Sequence, residues 1–270
     1  MPSTSVSPPL RHALAALAWA AALLVVAGLA AHLGGDAGGG YRPLLETMRA
    51  LPDARWSVLT VLGFGLAAAI LVPVFPDRSM RFVAVSLWSF LFTTIAVQGV
   101  KRSLVTPRPL TLLPDVGAIG DRLFWGSMPS GHAATALAFA TAYVLVRSRS
   151  WRSVAVVMVL AAAVALSRIA VGAHFIGDVL VGAGIGIAAT ALSFVVERRV
   201  DLARRLVTPS GQLAIAAIQL VTGAMMLWRP LGYPLALPLQ WLLGTLAIGA
   251  GVHRLWLLRM PTARVGGVTP

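Results

Sequence analysis

Three short polar patches interrupt an otherwise apolar chain, and their residue types suit phosphate chemistry. The first is Lys101-Arg102-Ser103-Leu104-Val105-Thr106-Pro107-Arg108-Pro109, the second Pro129-Ser130-Gly131-His132, and the third Ser167-Arg168 followed by His174 and Asp178. Lys101 is the only lysine of the protein, and with Arg108 and Arg168 it offers three cations, two of them planar forks that match phosphate oxygens. Taken singly, each could equally snorkel from a helix end to the headgroup layer. Ser130, after Pro129 and at the start of an apolar run, fits a helix N-cap, with Gly131 and the free N–H groups beyond it facing either an anion or nothing in particular. His174 and Asp178 are four residues apart and share a helix face if the helix has already begun. A carboxylate bonded to one imidazole nitrogen fixes the tautomer and leaves the other nitrogen as a nucleophile, although Asp178 could instead serve only as a cap. The coincidence of two histidines, one carboxylate and three cations favours a site over six unrelated explanations.

The elements that must position these residues are membrane spans. Of 270 residues, 58% are hydrophobic and 11% charged, with a mean hydropathy of +0.83, against roughly a quarter charged in soluble domains. A formal charge of +13 raises the possibility of a nucleic-acid partner. The basic residues, however, fall in short clusters between long apolar runs without interleaved aromatics, which excludes that class. The absence of cysteine removes disulfides, thiolate nucleophiles and cysteine-based zinc sites.

Eight runs are long and apolar enough to cross a bilayer as helices: 13–33, 56–74, 82–100, 132–146, 154–172, 176–196, 212–228 and 235–252. The first is too long for the apolar region of a signal peptide and reads as an anchor. The longest connections, 34–55 and 101–131, leave no room for a soluble domain, so an active site must lie at the bilayer surface. The glycines from Gly34 to Gly40 lack the following Lys-Ser/Thr of a phosphate loop and read as a flexible turn. The Gly182 and Gly186 pair reads as close helix packing.

Helix parity places all three polar patches at one end of the spans. Lys and Arg number thirteen on one side and nine on the other, and three of the nine are Lys101, Arg108 and Arg168. The excess predicts cytoplasmic termini and a site on the periplasmic or extracellular face of what would be a bacterial inner membrane.

The patches closely resemble the type-2 phosphatidic acid phosphatase superfamily of integral-membrane lipid phosphatases. Its motifs are a lysine followed after six residues by Arg-Pro, a Pro-Ser-Gly-His tetrad, and Ser-Arg with a histidine after five residues and an aspartate after three more. All are matched without departure between Lys101 and Asp178. The resemblance implies an all-α, polytopic helix bundle with a six-helix core over residues 1–200. Residues 201–270 then supply a cytoplasmic loop and two further membrane helices, which lie outside the matched region. It also implies that no metal or other cofactor is needed. By the same resemblance Lys101, Arg108, Ser130, Gly131 and Arg168 hold phosphate, His174 attacks phosphorus, Asp178 supports His174, and His132 protonates the leaving oxygen.

The expected substrate is a lipid phosphate or diphosphate in the bilayer: phosphatidic acid, phosphatidylglycerol phosphate, or, slightly preferred for a site facing away from the cytoplasm, undecaprenyl diphosphate. Transfer of phosphate to another acceptor is the nearest alternative. A non-enzymatic lipid-phosphate binding or transport protein is a more distant one, because transporters gather polar groups near the midplane and here they lie at one face. The sequence gives no indication of oligomeric state.

Overall fold

The computed structural model describes residues 8–35, 40–64, 79–147 and 150–260. Among them the protein is all-α, the sole bridge-like pairing being Pro107 with Trp125. The helices are α1 (Pro8–Leu33), α2 (Tyr41–Arg49), α3 (Asp53–Leu62), α4 (Arg81–Ser103), α5 (Pro109–Leu112), α6 (Gly131–Val146), α7 (Trp151–Ala170), α8 (Ile176–Val200), α9 (Leu202–Leu206), α10 (Pro209–Trp228) and α11 (Leu237–Arg259). Six of these, α1, α4, α7, α8, α10 and α11, are long and apolar enough to cross a membrane, and α6 is a shorter apolar helix. These are seven of the eight expected spans. The eighth, 56–74, begins in α3, and its remainder after Phe64 lies outside the described residues, as do Arg78, Arg149, Arg264 and most of the Gly34–Gly40 cluster.

Local chemistry sets the helix starts. The Oγ of Ser130 accepts from the Ala133 N–H at 3.5 Å, which makes it the expected N-cap of α6. Ser150 caps α7 through the Ser153 N–H at 3.2 Å, and Thr208 caps α10 through the Gly211 N–H at 3.2 Å, with Pro209 in the first helical position. At the other end of α8, Asp201 turns into the left-handed region (φ 53°) and ends the helix, while Glu197 accepts from the N–H groups of Leu202 and Ala203 and starts α9.

Helix α8 is the centre of the bundle, contacting α1, α4 and α6. Glycines allow this. A Cβ on Gly182 or Gly186 would drive into the carbonyl oxygens of Ser130 and Ala134 on α6, and one on Gly184 would meet Ala21 and Val25 on α1. Without a water-driven hydrophobic force inside a bilayer, such close backbone approach supplies the packing energy. The expected role of Gly182 and Gly186 is therefore met. It has a chemical consequence as well, because it presses the first turn of α8, which carries Asp178, against the first turn of α6, which carries Ser130, Gly131 and His132. The Ser130 N–H donates to the Asp178 carbonyl at 2.9 Å across this seam.

The last two spans form a hairpin. Helices α10 and α11 lie against each other through Gly223, Gly244 and Gly251, and the 3-10 turn Pro234–Ala236 in their connection reaches α3.

Candidate active site

At one end of the bundle the chain converges from four helix termini: the C-terminus of α4, the N-terminus of α6, the C-terminus of α7 and the N-terminus of α8. The segment from Leu104 to Ser130 closes over this end. Its strands of backbone are tied by Arg108 N–H to Phe124 O (2.9 Å) and Gly126 N–H to Thr106 O (2.9 Å), and it is anchored to the bundle by Ile119 N–H to Val171 O (3.1 Å).

Arg108 is the best-held cation. Its Nε donates to Trp125 O at 2.9 Å, Nη1 to Ala173 O at 2.9 Å and Nη2 to Gly126 O at 3.1 Å, and the residue is only 8% exposed. Burial, and the Arg168 guanidinium next to it, lower its pKa to about 10, so it stays charged at neutral pH. Lys101 donates from Nζ to the same Gly126 carbonyl. The two cations thus meet on one backbone oxygen.

His174 lies in the turn between α7 and α8, its N–H bonded to Arg168 O at 3.1 Å. The helix has not begun at His174, so the shared face expected from the four-residue spacing does not exist. Proximity to Asp178 arises differently. Asp178 is in the first turn of α8, where Oδ2 accepts from the Phe175 N–H at 2.9 Å and from the Ser127 hydroxyl, and the same oxygen lies 3.5 Å from His174 Nδ1. Capping and nearness to histidine, posed as competing accounts, coexist in one carboxylate. The opposite ring nitrogen, Nε2, is 3.4 Å from Arg108 Nη1. Burial, with Arg108, Arg168 and Lys101 around it, holds the His174 pKa well below the ordinary 6.5, so the imidazole is neutral at pH 7.

His132, on the first turn of α6, is within electrostatic reach of His174 and of all three cations. Its ring stands edge-on to Phe64, with centroids 4.4 Å apart. Arg168 is 2% exposed and donates from Nη1 to the Tyr233 hydroxyl at 2.8 Å. Three buried nitrogens, His132 Nε2, His174 Nδ1 and Arg168 Nε, have no hydrogen-bond partner. In a native interior nearly every such atom is satisfied; His174 Nδ1 faces Asp178, while His132 Nε2 and Arg168 Nε are left as donors or acceptors without a protein partner.

All eight residues singled out from sequence, Lys101, Arg108, Ser130, Gly131, His132, Arg168, His174 and Asp178, therefore converge at this end of the bundle. Three contributors were not foreseen. Ser127, which bonds Asp178, stands in an unremarkable polar loop; Phe64 lies in an apolar span; Tyr233 comes from the connection between the last two helices. Only a tyrosine abutting two spans could have drawn notice to the third, and that is an ordinary interfacial position.

Residues 82–201 match the family model described as PAP2 superfamily. Among solved structures, the crystal structure of Aquifex aeolicus LpxE is similar at 28% identity, covering 56% of this chain and 92% of that one, with a TM-score of 0.48. No curated protein matches the chain.

Proposed function

We propose that this chain, whose segment 82–201 belongs to the PAP2 superfamily, is an integral-membrane lipid phosphatase that works through a phosphohistidine. The observation that carries the reading is a charge imbalance. Lys101, Arg108 and Arg168 gather around His174 with Asp178 as the one carboxylate among the site residues, and Arg108 and Arg168 are buried. Buried cations without counter-charges are costly, and a bound phosphate would neutralise them.

The proposed steps are these. A phosphate held by the three cations and the first N–H groups of α6 would lie beside His174 Nε2, its equatorial charge already met by fixed donors. Nε2 attacks phosphorus as the phosphorus–oxygen bond to the lipid or lipid phosphate breaks, and His132, having taken the proton that the phosphate monoanion brings into the site, passes it to the departing oxygen. Asp178, near Nδ1, stabilises the charge that the ring acquires. Water then attacks the phosphohistidine and yields its proton to His132, releasing inorganic phosphate and restoring both histidines.

The donor set favours metal independence: cations dominate, and the lone carboxylate oxygen nearest the site is engaged by Ser127 and Phe175, whereas magnesium wants several oxygen ligands. Purified protein in detergent micelles containing phosphatidic acid should release phosphate at a rate unchanged by chelator. Vanadate, which resembles pentacoordinate phosphorus, should inhibit it. No release from any lipid phosphate would favour a binding or transport protein, and activity restored only by magnesium would overturn the donor argument.

Among substrates we favour a polyprenyl diphosphate. The tail would stay in lipid at the end of the helices, and the site lies on the face that charge distribution puts away from the cytoplasm. A panel of phosphatidic acid, phosphatidylglycerol phosphate and undecaprenyl diphosphate tests this choice by comparing kcat/KM. The orientation has its own test in a cysteine-free chain: Thr111→Cys should react in intact cells with an impermeant thiol reagent, and Arg264→Cys should not. The reverse pattern would invert the topology.

A further inference from the structure

The hairpin of α10 and α11 lies outside the family segment, yet its connection enters the site. Tyr233 is 5% exposed, and its hydroxyl accepts the 2.8 Å bond from Arg168 Nη1. The guanidinium carbon is 5.8 Å from the ring centroid, near the limit for cation–π attraction, so the contact acts through the hydroxyl more than through the ring face. Occupying Nη1 has a geometric result. A guanidinium offers a phosphate its best grip through a pair of parallel N–H bonds, and with Nη1 committed the remaining pair is the Nε and Nη2 edge. Nε on that edge is buried and without a partner.

Tyr233 is itself held by its neighbours. Its ring meets Phe64 edge-on at 6.3 Å, and Phe64 in turn abuts His132. Gly120 (φ 85°) comes so close that a Cβ there would lie 2.6 Å from the tyrosine ring, and Gly232 (φ 81°) leaves no room for a side chain beside Asp121. Left-handed glycines in both segments allow the loop before α6 and the α10–α11 connection to press together over the site.

From this arrangement we infer that Tyr233 is a positioning residue: it rotates and holds Arg168 so that the Nε and Nη2 edge grips the substrate phosphate, and the C-terminal hairpin thereby completes the active site. The inference rests on the lipid-phosphatase reading above for its substrate, but not for its test, because an anion can be bound without turnover.

The experiment measures orthovanadate binding by calorimetry on full-length protein in detergent, alongside KM and kcat for phosphatidic acid. Tyr233→Phe should weaken vanadate binding and raise KM by about tenfold, the scale of one charge-assisted hydrogen bond, with the thermal midpoint unchanged. In an Arg168→Lys background, where no fork remains to be oriented, adding Tyr233→Phe should cost less than about twofold, so the two effects are strongly non-additive. Gly120→Ala, which displaces the tyrosine ring without touching its hydroxyl, should copy the binding defect if the protein remains folded. Unaltered vanadate affinity in Tyr233→Phe, or losses that multiply independently in the double variant, would overturn the inference. A lower thermal midpoint with unchanged affinity would also overturn it, by making Tyr233 a packing residue. If wild-type protein binds vanadate in a Tyr233-dependent manner yet releases no phosphate from any lipid, the positioning role stands and the phosphatase reading falls.

Discussion

His174→Ala should abolish both turnover and phosphoenzyme formation. The position has no substitute within the site. His174 presents Nε2 toward Arg108 at 3.4 Å and has Asp178 behind Nδ1 at 3.5 Å, and burial with the three surrounding cations keeps the ring neutral at pH 7, the form that can attack phosphorus. His132, the other histidine of the site, is half-buried, and its ring packs on Phe64. A nucleophile supplies the bond on which the reaction passes, so its removal should cost more than about 10⁴-fold, above the usual range for an acid or base. Rapid quench under alkaline conditions, followed by peptide mapping of the acid-labile phosphate, reads the result directly. Label on His132, or label persisting in His174→Ala, would refute the assignment.

The second large effect is a split between substrates in His132→Ala. Loss of a general acid costs about 10² to 10⁴-fold when the leaving oxygen needs a proton and much less when it does not. The alkoxide that leaves phosphatidic acid belongs to the first kind, an activated aryl phosphate to the second. His132→Ala should therefore lose about 10² to 10⁴-fold in lipid phosphate turnover while retaining substantial hydrolysis of the aryl ester. The unpartnered Nε2 of His132 motivates this, since it is the buried nitrogen left to face a leaving group. An equal loss with both substrates would mean that His132 binds phosphate and does not deliver a proton. Trapped phosphoenzyme from the aryl ester in the same variant would independently separate the two histidines.

The site was legible in sequence because its residues break a strong background. Lys101, Arg168 and Asp178 stand at the ends of apolar helices where a charge is expensive, and alternating helix direction sends those ends to one face. What escaped was everything held by backbone or brought from afar. Arg108 is fixed by the carbonyls of Trp125, Gly126 and Ala173, groups that every residue carries and no spacing betrays. The His174 and Asp178 pair was found for an incomplete reason: helical spacing suggested it, whereas a turn and a capping carboxylate make it. Tyr233 meets Arg168 only because two glycine-containing segments press together, a tertiary fact with no local signature. Helix limits also ran beyond the apolar runs, α11 reaching Arg259, because arginine stems can lie along lipid while their heads reach water.

The seam between α1 and α8 bears on how the protein is made. Gly28 on α1 lies so near Gly177 and Val181 that no side chain would fit there, and α8 is the principal neighbour of α1. Membrane helices insert first and associate afterwards. In a chain delivered from its N-terminus, α1 must therefore wait in the bilayer, its packing face covered by lipid, until α8 follows it. Lys101, Arg108 and His132 reach the membrane surface before Arg168, His174 and Asp178 exist, and Tyr233 arrives after them all. Helix α8 is the keystone whose arrival brings the proposed site residues of the inserted helices together.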